Sequence, residues 1–147
     1  MPVQRTLPGG FELDDDPGRV DVGEVHRFLS TESYWARGRS REVAERLVRE
    51  ANRVVGLYEG ERQIGFARAV SDGIAFAYLA DVYVLPGYRG HGLGVELVRE
   101  MVESGPYAGC KWLLHTADAH GLYGQLGFGP SSDRLMERDP KTGAAQD

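Results

Sequence analysis

Val82-Tyr83-Val84-Leu85-Pro86-Gly87-Tyr88-Arg89-Gly90-His91-Gly92-Leu93-Gly94 runs from an apolar strand through a glycine-rich turn into a helix, because Leu93, Leu97, Val98, Met101 and Val102 continue at helical spacing. Glycines let a backbone approach a phosphate closely and turn successive N–H groups toward it. The first-turn amides and the dipole of a helix favour negative charge there. Strand, glycine loop and helix start together form an anion cradle, and a diphosphate is its natural guest. A P-loop is excluded, since it needs Lys and Ser or Thr after its second glycine and no Lys occurs between residues 1 and 110. A dinucleotide fingerprint is disfavoured, because Gly90-His91-Gly92-Leu93-Gly94-Val95 places its third glycine one position early and follows a meander instead of opening a βαβ unit.

Upstream of the loop, Arg53 to Tyr58, Gln63 to Val70 and Phe76 to Leu85 read as strands joined by the turns Glu59-Gly60-Glu61 and Ser71-Asp72-Gly73, an antiparallel meander. Before it, Phe11-Glu12-Leu13 suggests a short first strand. Asp21 to Ser30, with Asp21 and Glu24 spaced as a capping box, suggests a helix. Val43, Ala44, Leu47, Val48 and Ala51 form a second helical stripe, with Glu42/Arg46 and Glu45/Arg49 as i,i+4 pairs on its other side. After the loop helix, stopped by Gly105-Pro106, come a strand from Lys111 to Thr116, a short helix near Gly121 to Leu126, and a last strand pair around Phe128 and Arg134 to Glu137. The fold class is α/β: a mixed, mainly antiparallel sheet flanked by helices. Residues 1–10 and 139–147 read as flexible ends around one domain at 11–138.

With 147 residues, 41% of them hydrophobic, the chain suffices for one domain with a core of its own. The single cysteine, Cys110, cannot form an internal disulfide, and with four scattered histidines it builds no zinc pattern, so no metal is expected. Asp14-Asp15-Asp16-Pro17-Gly18 reads as a solvated turn, since a calcium loop would need a downstream Glu. No apolar run approaches the ~20 residues that span a bilayer, and the opening residues lack the apolar stretch of a signal peptide. A cytoplasmic location away from membranes is expected. The net charge of -5, with basic residues dispersed, disfavours nucleic acid as a partner.

What remains at the loop is Arg89-x-x-Gly92-x-Gly94. Here the sequence resembles the GNAT superfamily of acyl-CoA-dependent N-acyltransferases, whose pyrophosphate loop reads Gln/Arg-x-x-Gly-x-Gly/Ala after such a strand. Leu122-Tyr123-Gly124-Gln125-Leu126-Gly127-Phe128 is similar to the family's Leu-Tyr-x-x-x-Gly-Phe segment, and the likeness extends from about Phe11 to Arg138. The resemblance implies a GNAT-like acyl-CoA N-acyltransferase fold and acetyl-CoA as cosubstrate. The backbone of Val82, Tyr83 and Val84 would meet the pantetheine arm, and the amides of Arg89, Gly90, His91, Gly92, Leu93 and Gly94 would hold the diphosphate. Tyr123 matches the tyrosine whose hydroxyl protonates the departing thiolate as the tetrahedral intermediate collapses; the bland alternative is an aromatic closing the core beside Leu126 and Phe128. Asp81 has two open readings: the base that deprotonates the attacking ammonium, directly or through water, or a structural carboxylate bonded at a strand bulge. Many relatives carry Glu-Asp where this chain has Ala80-Asp81, which puts polyamine specificity in doubt.

Thr31 to Ser40 joins the first two helices, resembles the same loop of small single-domain bacterial members, and borders the acceptor pocket in this superfamily. Tyr34 and Trp35 offer a face for a cationic or aromatic amine, or else plug the space beside the sheet. Arg37 and Arg39 read as solvated loop arginines. His91 reads as a loop filler and His120 as a weak alternative base or a cap. His26 and His115 read as structural, and Cys110 as a small buried hydrophobe. The expected function is acetyl transfer from acetyl-CoA to a primary amine of a small molecule by direct attack. The rivals are a protein or peptide N-terminal or lysine acetyltransferase and a non-catalytic CoA-binding sensor or interaction module. Relatives are often dimers and the composition equally allows a monomer, so a homodimer stays open.

Overall fold

A computed structural model describes residues 4–140. Strands β1 (Gln4–Leu7) and β2 (Phe11–Asp14) precede helices α1 (Val22–Glu32) and α2 (Arg41–Glu50). The meander β3 (Arg53–Glu59), β4 (Arg62–Ser71) and β5 (Phe76–Val84) leads into α3 (Leu93–Glu103), followed by β6 (Lys111–Leu113) and α4 (His120–Gly124). The six strands lie in chain order in one sheet; every neighbouring pair is antiparallel except β5 and β6, which are parallel. No helix among the described residues is long and apolar enough to cross a membrane.

Local sequence explains the helices. Asp21 caps α1 by accepting from the Glu24 amide, and Ser40 caps α2 by accepting from Val43, each satisfying an amide that the helix leaves orphaned. On the exposed side of α2 the ion pairs that form are Arg41–Glu45 and Arg46–Glu50, displaced from the pairs expected. Helices α1 and α2 cover one face of the sheet and α3 the other: Phe28 of α1 stacks on Tyr83 with centroids 4.1 Å apart, while α3 buries Leu97, Val98 and Met101 completely. Glu100 of α3 is also buried, and its carboxylate accepts from Arg5 Nε and Arg53 Nη2. Arg53 also bonds Asp15, which ties α3 to β1 and β3 by a paired charge network.

The ends differ from the sequence reading. Gln4–Leu7, assigned there to a loose end, is a strand in register with β2, turned by Gly9 and Gly10 at φ 90° and 84°. Only Leu7 of β1 is buried, so the segment carries no readable alternation. The last strand pair is not formed: residues 125–140 include no strand. Gly127, at φ 89°, turns the chain and Phe128 packs its ring against Tyr123, so Arg134 to Glu137 runs outside any ladder. Strand β6 ends at Leu113 instead of Thr116, for a reason that matters to the site. Residues 1–3 and 141–147, parts of the expected flexible ends, lie outside the described residues.

Candidate active site

The site begins with a defect in β5. Phe66 faces Tyr83 and Arg68 faces Ala80, so Ala67 alone opposes both Asp81 and Val82, a β-bulge. Asp81 takes φ 56°, and among the described residues it is the one non-glycine with positive φ. That conformation costs on the order of 1–2 kcal/mol for a residue with a Cβ, so something must hold it. Three donors do: Trp35 Nε1 bonds Oδ1 at 2.9 Å, and Arg39 Nη1 and Arg68 Nε bond Oδ2 at 2.8 and 2.6 Å. Burial pushes the Asp81 carboxyl up, but the two guanidinium groups outweigh it and hold the group below the usual carboxylate range. Such a carboxylate is a weak proton acceptor, and this environment favours its structural reading.

Ahead of the bulge, β5 loses its β6 neighbour while keeping β4. The parallel ladder with β6 consists of Phe76↔Lys111, Ala77↔Trp112 and Tyr78↔Leu113, after which the two strands diverge. This divergence ends β6 early and opens a cleft along the rest of β5. At its far end the chain makes a tight turn at Pro86–Tyr88, and Arg89 donates through Nε to the Val84 carbonyl at 2.9 Å, tying loop to strand. Gly90 and Gly92 both have positive φ, 85° and 76°. Gly92 is the N-cap of α3, has no side-chain cap, and accepts the first helical bond from Glu96. The Leu93, Gly94 and Val95 amides therefore lack helical acceptors and are available to an anion. Leu93 and Tyr83 belong to the core through their side chains. His91 is exposed and lines an open hollow of about 530 Å³ with Phe11, Tyr88 and Leu93.

Loop and catalytic candidate are linked by packing. A Cβ built on Gly94 would lie 3.0 Å from Leu122 Cδ1, so glycine at 94 lets α4 settle on the start of α3. Tyr123 follows on that short helix, 9% exposed, with its ring edge-on to Phe128. Burial, with smaller contributions from Tyr34 and Asp118, pushes its hydroxyl up to about 12, which keeps it protonated at neutral pH.

Opposite stands a strap formed by the α1–α2 connection. Trp35 and Arg39 pin it to Asp81, while the Tyr34 hydroxyl accepts from the Ala117 amide beyond β6 at 2.7 Å. The strap thus bridges from the bulge to the chain beyond β6. Tyr34 and Trp35 meet edge to face at 5.0 Å, and His26 bonds the Arg39 carbonyl, a structural role. The structure therefore brings Tyr34, Trp35, Asp81 and Tyr123 to one region.

Two arginines here escaped the sequence reading. Arg39, read as solvated, has a side chain only 4% exposed, because Asp81 draws it inward. Its Nε and Nη2 are buried without hydrogen-bond partners. Arg68 was not singled out, although a lone arginine inside the run Ile64 to Val70 is a signal for a buried partner of opposite charge. Two guanidinium groups around one carboxylate leave the cluster one positive charge in excess.

Relatives share this architecture. The crystal structure of a "putative acetyltransferase belonging to the GNAT family" from Xanthomonas campestris pv. campestris matches with a TM-score of 0.83 and 35% identity, over 88% of this chain and 93% of that one. A Gibberella zeae protein named "putative acetyltransferase" is 27% identical over 143 residues, covering 83% of this chain and 80% of its own. Glucosamine-6-phosphate N-acetyltransferase from Arabidopsis thaliana shares the fold at a TM-score of 0.61 and 15% identity, over 87% of this chain and 97% of that one. The uncapped helix start, the splayed bulged strand and the docked tyrosine helix all fall within residues 23–128, the span matched by the family model of the acetyltransferase (GNAT) family, and the chain belongs to that family.

Proposed function

We propose that the protein transfers acetyl from acetyl-CoA to a primary amine of a small molecule by direct attack, with Tyr123 as the acid. The observation that carries this reading is the linkage through Gly94. One glycine joins an anion-accepting helix start to the helix bearing a buried, protonated phenol, the two things a CoA thioester needs at its two ends. The Leu93 to Val95 amides and the glycine loop would hold the diphosphate, and the splayed backbone of β5 would receive the pantetheine arm. Tyr123 would donate its proton to the sulfur that leaves. Asp81 is assigned the anchoring role, fixing the bulge and the strap.

A small acceptor is favoured over a peptide because the strap spans the region where an extended chain would lie. The surplus positive charge of Arg39 and Arg68 beside Asp81 disfavours polycations such as polyamines.

The first test is thermal unfolding with acetyl-CoA, with NADH and ATP as controls. A ligand at about 100 times its Kd stabilises by roughly 2.7 kcal/mol. A shift with acetyl-CoA alone supports the reading and justifies following CoA release over a panel of primary amines. No shift at saturation would favour a fold retained without the reaction.

A further inference from the structure

We propose that Tyr78, His115 and Glu137 form the proton-accepting relay for the acceptor amine, an inference that rests on the acetyl-transfer reading and supplies the base that Asp81 does not. Tyr78 and Leu113 are the last rung before β5 and β6 part, so Tyr78 stands at the apex of the cleft. Phe66, Arg68 and Val70 alternate onto one face of β4, and Tyr78 lies opposite Val70, on that face with Arg68. His115, two residues beyond Leu113, emerges on the same side, and the Tyr78 hydroxyl and His115 Nδ1 are directly hydrogen-bonded. His115 Nε2 lies 2.5 Å from Oε2 of Glu137, which the irregular C-terminal segment brings to it. The sequence reading made His115 structural because nothing local connects residues 78, 115 and 137.

The bond pattern orders the protons. An ionised Glu137 accepts, so Nε2 carries the hydrogen and Nδ1 accepts from the Tyr78 hydroxyl. An acceptor ammonium at the apex gives its proton to Tyr78 Oη while the Tyr78 hydroxyl proton passes to His115 Nδ1. The amine keeps its electron pair for attack on the thioester carbonyl, and the new imidazolium is paired with Glu137. His115 and Glu137 are 58% and 61% exposed in their side chains, so water can remove the proton afterwards. Tyr78 is the group that would touch substrate; His115 and Glu137 act through it. Among the described residues, the charged or titratable groups around it include Arg68 of β4, Asp81 of β5, and Tyr34 and Arg39 of the strap, with Tyr123 and Asp118 near Tyr34 and His26 on the Arg39 carbonyl. The net positive charge of the Asp81 cluster favours a neutral amine over an ammonium, in the same direction as the relay.

Nitrogen-15 NMR of the imidazoles in the full chain tests the relay without turnover, the His115 signal being identified by its loss in His115→Gln. The expected result is the Nε2–H tautomer in wild type and a mixed tautomer in Glu137→Gln; a mixed wild-type tautomer indifferent to Glu137→Gln and Tyr78→Phe would overturn it. In kinetics over the amine panel, His115→Gln should lower kcat/KM at pH 7 by about 10²-fold, change the shape of the pH–rate profile, and leave the KM for acetyl-CoA unchanged. Glu137→Gln should lower kcat/KM by a smaller factor. A wild-type protein that transfers acetyl while His115→Gln keeps its pH profile sinks the relay alone. A wild-type protein with no acetyl-CoA thermal shift sinks the transfer reading first.

Discussion

The two ends of the cleft are built from different materials. At the α3 end the proposed functional groups are backbone amides, freed by glycines within a few residues of one another. At the strap end the bonded groups proposed to act are side chains from five separated stretches: Trp35 and Arg39, Arg68, Tyr78 and Asp81, His115, and Glu137. A site made of main chain depends on local conformation and tolerates side-chain change. One made of converging charges depends on every partner at once. The contrast predicts that single substitutions at the strap end destabilise the fold or redirect the acceptor, whereas those at the α3 end weaken the cosubstrate.

The largest effect on stability is expected at Asp81. Asp81→Asn leaves Arg39 and Arg68 buried together without their counter-charge, and removing one partner of a buried pair costs about 3–5 kcal/mol. Asparagine tolerates positive φ, so the loss would report the charge and not the bulge. Urea denaturation checks this, and a loss under about 1 kcal/mol would mean that the cluster is not the anchor described. The folded carboxyl titrates below its unfolded value of ~3.9, so the stabilisation is present above that pH and lost as pH falls through the folded value. Wild type should therefore lose stability more steeply than Asp81→Asn in acid.

The largest effect on rate is expected at Tyr123. Tyr123→Phe keeps the ring against Phe128 and removes only the proton, so kcat should fall by about 10²-fold while the Kd for acetyl-CoA and the Tm stay near wild type. Because the hydroxyl is pushed up to about 12, no alkaline limb below pH 10 should come from it. An unchanged kcat would return Tyr123 to the role of core aromatic.

At the α3 end, Gly92→Ala forces a Cβ into φ 76° at the N-cap, at a cost of about 1–2 kcal/mol. Acetyl-CoA should bind several-fold more weakly with kcat on bound complex preserved, a split that a calorimetric Kd beside saturating kinetics would read. Loss of kcat alone would contradict a backbone-built cradle.

This division also explains what the sequence could reveal. The glycine loop, the amphipathic α1, α2 and α3 and the meander are local patterns, and the reading from Arg53 to Val102 holds nearly to the residue. Strand β1 escaped because only one of its residues is buried, and the last strand pair expected around Phe128 and Arg134 to Glu137 finds no neighbour. At the site, the loop could be read as an anion cradle from its glycines and helix start, Tyr123 became a candidate only through the family resemblance, and Asp81 through its place in an apolar strand. Arg39, Arg68 and the relay residues were not, because an arginine looks solvated until its carboxylate is located in space. Burial of charge is a pairwise property, and pairs 42 or 13 residues apart leave no periodic trace.

The smallest effect is expected where the strap crosses the cleft. The Tyr34 hydroxyl accepts from the Ala117 amide, but Tyr34 is 52% exposed, so water can replace it in Tyr34→Phe at a cost of about 0.5–1 kcal/mol. The ring and its edge contact with Trp35 remain, and Trp35 still pins the strap to Asp81. Loosening one end of a strap held at the other should raise the KM for the amine about threefold and leave kcat and acetyl-CoA affinity unchanged. Trp35→Phe, which cuts the buried end instead, should cost more in both stability and acceptor KM. If Tyr34→Phe weakened acetyl-CoA and spared the amine, the strap would belong to the cosubstrate end, and the division between backbone-built and side-chain-built halves would fail at the place where the two meet.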